Sequence, residues 1–355
     1  MTSLPHILRG TCHSLFVYDA AFSIDLNEAE RRITSFKQRE TIKHKRRTPR
    51  HFEFRPPPLR ITQEAGVELV VYDFGAVSVI YHRPLSGDFS QLLAMSQELY
   101  ENQRLFDDSR RRVEDLLKVI QPAVSKLNIS PFVEDYVIFQ IEAFESSVSI
   151  GDLTSKYATE IAQVLRAETQ QLSEDEVRDA LSHHISYGNE DIVIVDWNAA
   201  LVVDREAEDV LTVLEFANVE LLEMRFLDQR LDEALALSYE RLTKRSKKWF
   251  SFRSDPSDLR DISQWQVDSA ILFEGVNNVL KLVGDQYLAR LYRLVAERFH
   301  LAEWDATIFR KLETLESIYE KISDQISVRR MEVLEWIIIV LFVISIVLPF
   351  LTATH

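Results

Sequence analysis

Short runs rich in β-branched residues are the clearest signal along this chain. Residues 67–72 (VELVVY) and 76–81 (AVSVIY) predict two strands. Between them Asp73-Phe74-Gly75 predicts a tight hairpin, with glycine supplying the turn geometry. Residues 13–25 read as one long strand or a strand pair, 135–144 as another strand, and 191–195 with 199–203 as a second hairpin around Asp196-Trp197-Asn198. Helical spacing of apolar positions predicts helices over 27–38, 88–100, 102–120 and 152–168. Ser173-Glu174-Asp175-Glu176 has the form of a capping box that opens a further short helix. The strand, helix, hairpin, helix order recurs, with Phe22-Ser23-Ile24-Asp25 and Asp73-Phe74-Gly75 matched by Val148-Ser149-Ile150-Gly151 and Asp196-Trp197-Asn198. That recurrence predicts an internally duplicated head.

From Glu206 the pattern is helical nearly to the end. Val210, Leu214, Ala217, Leu221, Met224, Leu227, Leu231 and Leu235 recur at spacings of three and four, close to a coiled-coil seam. Residues 262–300 and 302–330 predict two more long helices, so a helical hairpin or bundle follows the head. Residues 336–351 read WIIIVLFVISIVLPFL, uncharged throughout. Trp336, Ile337, Ile338, Ile339, Leu341, Phe342 and Leu348, behind the basic pair Arg329 and Arg330, predict a C-terminal transmembrane helix. The positive-inside rule would keep the body on the cytoplasmic side, of a bacterial inner membrane in preference to a mitochondrial inner one. The expected fold class is α+β: a duplicated head over 1–204 with a basic insertion at 39–60, a long-helix bundle over 205–330, and an anchor over 331–355.

Composition narrows the chemistry. Hydrophobic residues make up 46% of the chain, enough for a substantial core, and only eight glycines are present, which disfavours glycine-rich phosphate loops. Net charge is −15, so nucleic acid or anionic lipid could be met only through a local basic patch. The single cysteine, Cys12, excludes an internal disulfide and any multi-cysteine zinc site. Cys12 and His13 are neighbours in a strand and point to opposite faces. His183 and His184 read as the solvated end of a helix.

No phosphate-loop, dinucleotide, metalloprotease or nucleophile-elbow motif occurs. The expected cofactor set is therefore empty, no small-molecule substrate is identified, and the chain reads as a non-enzyme. The competing enzyme reading is a metal-dependent phosphoesterase or nuclease, with Asp73 and Asp196 sharing a magnesium ion from equivalent hairpin turns. Two basic segments are candidate partner- or anion-binding surfaces: Lys43, Lys45, Arg46, Arg47 and Arg50, then Lys244, Arg245, Lys247, Lys248, Trp249 and Phe250. Basic residues interleaved with aromatics suit RNA, a ribosome or an anionic membrane surface, and a solvated loop has the same composition.

Residues 70–77 (VVYDFGAV) resemble the aromatic-acidic-aromatic-glycine turn of the "required for meiotic nuclear division" family. The helical stretch from Asn218-Val219-Glu220-Leu221-Leu222 to Arg230-Leu231-Asp232 is similar to that family's second motif, and residues 330–339 to its run into the membrane. The resemblance implies a tail-anchored integral membrane protein without established catalytic activity. In mitochondrial relatives it implies support of translation and tethering of the ribosome. The joint expectation is a membrane-anchored scaffold or tether that meets a protein partner, or itself, through its long helices.

Overall fold

The structure is a computed structural model that describes residues 5–37, 43–45, 57–63, 66–247 and 286–352. Side chains are described throughout these except at 43–45, 241–247, 322–323, 325–330, 332–333 and 342–352. The chain divides into two compact units: residues 1–226 with 272–305, and residues 227–271 with 306–355.

The first unit is built on one nine-stranded sheet. Its strands in chain order are β1 (Ile7–Asp19), β3 (Lys43–Lys45), β4 (Leu59–Thr62), β5 (Val67–Val71), β6 (Ala76–Gly87), β8 (Val133–Phe144), β9 (His184–Ile185), β10 (Ile192–Val195) and β11 (Ala199–Val203). A separate pair is formed by β2 (Ala21–Ile24) and β7 (Val124–Leu127). Across the large sheet the order is β3-β4-β5-β6-β1-β8-β11-β10-β9. Every pairing is antiparallel except β11 on β8.

Helices cover both faces, which makes three layers. On one face, α7 (Glu208–Lys247) and α8 (Gln286–Arg298) bury Val213, Leu214, Ala217, Leu291 and Val295 against Leu15, Val17, Ile138 and Val202. On the other, α2 (Phe89–Leu99), α5 (Ala158–Arg166) and α6 (Glu174–Ala180) cover Cys12, Phe139 and Ile194. Beside them, α1 (Leu26–Lys37) and α3 (Gln103–Ile120) cover Phe16, Tyr18 and Val79. Coverage on both sides explains why β10 is buried at all four positions instead of alternating. The remaining short helix is α4 (Ile150–Thr154).

Local signals acted as the sequence suggests. Ser173 caps α6, its hydroxyl accepting from the Glu176 amide. Gly75 turns the first hairpin at φ +105, and a Cβ there would come within 1.7 Å of the Ala21 carbonyl oxygen. The expected repeat fares less well. The two halves occupy mirror positions in the strand order, but β6 runs antiparallel to β1 whereas β11 runs parallel to β8. One operation cannot superpose halves whose hairpins enter the sheet in opposite senses.

In the second unit, α7 continues beyond Leu227 and α9 (Leu301–Thr352) contributes from Ala306 onward. Leu231, Ala234, Ile308, Leu315 and Ile318 are buried there. Lys311 Nζ lies 2.7 Å from Asp228 Oδ1 and 2.6 Å from Asp232 Oδ1, which fixes the two helices in register.

The fold class is mixed α/β, in place of the expected α+β head with a C-terminal transmembrane helix. Among the described residues no helix is long and apolar enough to cross a membrane. This overturns the transmembrane, tail-anchored and single-pass assignments, and with them the placement of the body on the cytoplasmic side of a bacterial or mitochondrial inner membrane. Residues 336–351 give sixteen consecutive uncharged positions, fewer than the about 20 needed for a span. They lie on a 52-residue helix whose preceding turns are strongly charged. The side chains of Arg329, Arg330, Phe342 and Leu348 lie outside the described residues.

Candidate functional site

Polar side chains crossing the sheet beneath α7 form the most unusual feature of the first unit. His13 on β1 stands directly opposite His82 on β6. Their Nδ1 atoms are 2.8 Å apart, and His13 Nε2 lies 3.1 Å from Gln140 Oε1 on β8. Gln140 Nε2 donates to the Asp204 carbonyl oxygen, so its Oε1 is the acceptor that meets His13. A neutral His13 must then carry its proton on Nε2 and present a bare Nδ1. His82 fills it by donating from its own Nδ1. Burial lowers the His13 pKa to about 4, with the His82 charge adding to the effect. Burial also lowers that of His82. Both rings are neutral at neutral pH, as this tautomer chain requires.

The row continues into an ionic cluster. Arg60 on β4 donates to Glu68 Oε2 on β5 at 2.9 Å and to Glu215 Oε2 on α7 at 2.6 Å. The Tyr72 hydroxyl donates to the other Glu215 oxygen at 2.7 Å. Burial, reinforced by the Glu215 charge, holds the Tyr72 phenol well above its usual range. Burial raises Glu68, opposed by Arg60. Glu215 thus fastens α7 to the sheet by directional bonds as well as by apolar contact, and Arg225 does so again on Glu134 of β8.

A second ionic centre sits at the other hairpin. Asp196, 1% exposed, accepts from Arg298 on Oδ1 and from Arg166 Nε on Oδ2 at 2.9 Å. Asp179 binds both arginines as well. The Arg298 guanidinium lies 5.2 Å from the centroid of the Trp197 ring, which also stacks on His300. The Asp196 carboxylate is therefore already neutralised by two guanidinium groups.

This placement bears directly on the enzyme reading. The Asp73 and Asp196 turns belong to hairpins separated by β1 and β8. Three strand spacings put them about 14 Å apart across the sheet, too far to share one magnesium ion. Burial raises the Asp73 pKa, and among the described residues no group of three or more acidic, histidine or cysteine side chains could hold a metal ion.

Two further carboxyls on α7 itself are buried. Burial pushes Glu220 up to about 8, and it accepts from the Tyr292 hydroxyl at 2.6 Å. Glu223 is also held well above the carboxylate range by burial and by the charge of Asp19. Glu220 is thus largely protonated near neutral pH and sits in the core as an acid instead of a charge.

The predicted basic segments are only partly visible. Lys43 and Lys45 lie on β3, the strand at one edge of the sheet, and Lys244, Arg245 and Lys247 on the last turns of α7. Arg46, Arg47, Arg50, Lys248, Trp249 and Phe250 lie outside the described residues. His183 and His184 are not a helix end: His184 opens β9, and Val195 donates to the His183 carbonyl. Sequence reasoning missed Tyr72, His82, Gln140, Arg166, Glu215 and Arg298, and took Arg60 only as the end of the basic insertion at 39–60. The available signal was an isolated charge inside an apolar helical stripe, as Glu215 stands between Leu214 and Phe216.

The family described as "Uncharacterized protein MJ0711, N-terminal domain" matches residues 9–209, more than half of the chain, and the chain belongs to that family. The chain is also similar to "Uncharacterized protein MJ0711" of Methanocaldococcus jannaschii, 23% identical over 292 residues that cover 81% of this chain and 83% of that protein. No solved structure matches. None of these findings relates the chain to the meiotic nuclear division family, and they do not test that resemblance.

Proposed function

We propose that this member of the MJ0711 family is an assembly protein whose second unit joins copies of the chain through the far end of α9. One observation carries the reading. Met331, Leu334, Trp336, Ile337, Ile338, Ile339, Val340 and Leu341 are each 49% exposed or more. Monomeric soluble proteins rarely expose contiguous apolar patches beyond a few hundred Å², and six consecutive exposed residues exceed one helical turn. Apolar surface on every side of a helix cannot be covered by one neighbouring helix. It calls for two or more, as in a bundle of several copies. The first unit is cross-braced within itself by the Glu215 and Asp196 clusters.

Cysteine crosslinking tests this. Cys12 is buried, so Ile338→Cys supplies the accessible thiol on α9. A bis-maleimide is expected to join Ile338→Cys chains at low micromolar concentration, and to leave a control Tyr187→Cys, at an exposed site in the first unit, largely uncoupled. Equal yields from the two positions would dismiss the proposal.

A further inference from the structure

On the face opposite α7, a cleft of about 760 Å³ opens between β1, β6 and the junction of α2 with α3. It lies where the apolar cluster around α2 and α5 gives way to the cluster around α1 and α3. Its size falls within the usual range for small-molecule sites, roughly 300–1,000 Å³. Val67, Tyr81 and Leu105 supply an apolar wall. Arg83, Arg104 and Glu98 supply the charge.

The balance of charge there is unlike that of the whole chain. The protein carries −15, yet two arginines face this cleft against one carboxylate. Glu98 accepts a single 2.9 Å bond from Arg83 Nη1. A guanidinium has five N–H donors, so most of those on Arg83 remain for another acceptor. Arg104 makes no ion pair among the described residues, and its carboxylate neighbours on α3 are engaged elsewhere. Asp107 accepts from Gln103, and Asp108 from Tyr81, Arg111 and Arg112. The Asn102 amide is spent on Glu98 and Leu105. Planar, multiply donating groups beside an apolar wall suit an anionic oxygen cluster attached to an apolar body.

We propose that this cleft binds a small organic anion, a carboxylate or phosphate ester with an apolar or aromatic body, held by Arg83 and Arg104. The site is independent of the assembly of copies. Titration calorimetry on the full chain tests it with four probes: phenyl phosphate, phenylacetate, inorganic phosphate and benzyl alcohol. At least one of the first two is expected to bind about tenfold more tightly than both fragments, because charge and apolar body act together. Which one binds more tightly identifies the head group. Arg104→Gln, at an exposed position and expected to keep the wild-type circular dichroism, should weaken that ligand about tenfold, the loss of one charge-assisted contact. Arg83→Gln should act in the same direction. Binding of the aromatic anions no tighter than the fragments, no binding at millimolar concentration, or affinity indifferent to Arg104→Gln would each overturn the proposal.

Discussion

Acidification should load the His13 ring with a proton only at the expense of the fold. In the folded chain its pKa stands at about 4, against an ordinary 6.5, because the ring is buried between β6 and β8. Above pH 6.5 it is neutral both folded and unfolded, so it contributes no pH dependence. Between 6.5 and 4 the unfolded chain takes up a proton that the folded chain refuses, and stability falls as the pH falls. Below about 4 both forms are protonated and the loss is complete. A gap of this size at 1.36 kcal/mol per pH unit amounts to about 3 kcal/mol. His82 acts in the same direction, while Glu215 favours and Arg60 opposes its protonated form. Since carboxylates elsewhere also titrate in this window, the test is a difference. Urea unfolding of the wild type and of His13→Gln, compared at pH 7 and pH 4, should show the wild type losing about 3 kcal/mol more. Long-range ¹H–¹⁵N spectra at pH 7 should show His13 protonated on Nε2 and His82 on Nδ1. A His13 midpoint near 6.5, or parallel pH profiles for the two proteins, would refute the reasoning.

Other perturbations follow from the same contacts. Arg60→Met removes the guanidinium that joins Glu68 to Glu215, and should cost about 3–5 kcal/mol by urea unfolding. Adding Glu215→Leu should recover part of that loss, because the stranded charge goes with it. Asp196→Asn strips the counter-charge from Arg298 and Arg166 and should cost about 3 kcal/mol. Asp73→Asn, at a turn with no such cation, should stay within about 1 kcal/mol, and equal losses at the two turns would contradict the assignment. Phe139, fully buried at the centre of β8, should lose about 3–5 kcal/mol as Phe139→Ala, read as a lower thermal midpoint.

Much of the fold was legible locally. The hairpin at Asp73-Phe74-Gly75, the helices ending at Leu99 and Ile120 and the Ser173 cap all follow from turn and capping chemistry within a few residues. What could not be read is set by distance along the chain. Arg60 meets Glu215 across 155 positions, and Asp196 meets Arg298 across 102. No periodicity encodes such pairs, since each residue alone reads as a solvated charge on a helix or strand. The duplicated head failed for a related reason. Short motifs report the order of elements but not the direction in which a hairpin joins the sheet, and β11 joined parallel. At the C-terminal end, the uninterrupted apolar run invited a membrane reading, which the described helix does not support. The same residues make the exposed surface assigned here to assembly.

Sedimentation equilibrium of the full chain probes that assignment most directly, with Ile337→Glu plus Val340→Glu as the comparison. The unaltered protein should sediment as at least a trimer of 41.3 kDa chains, and the doubly charged variant as a monomer with unchanged circular dichroism. A monomer in both cases, or one oligomeric mass shared by both, would contradict the account.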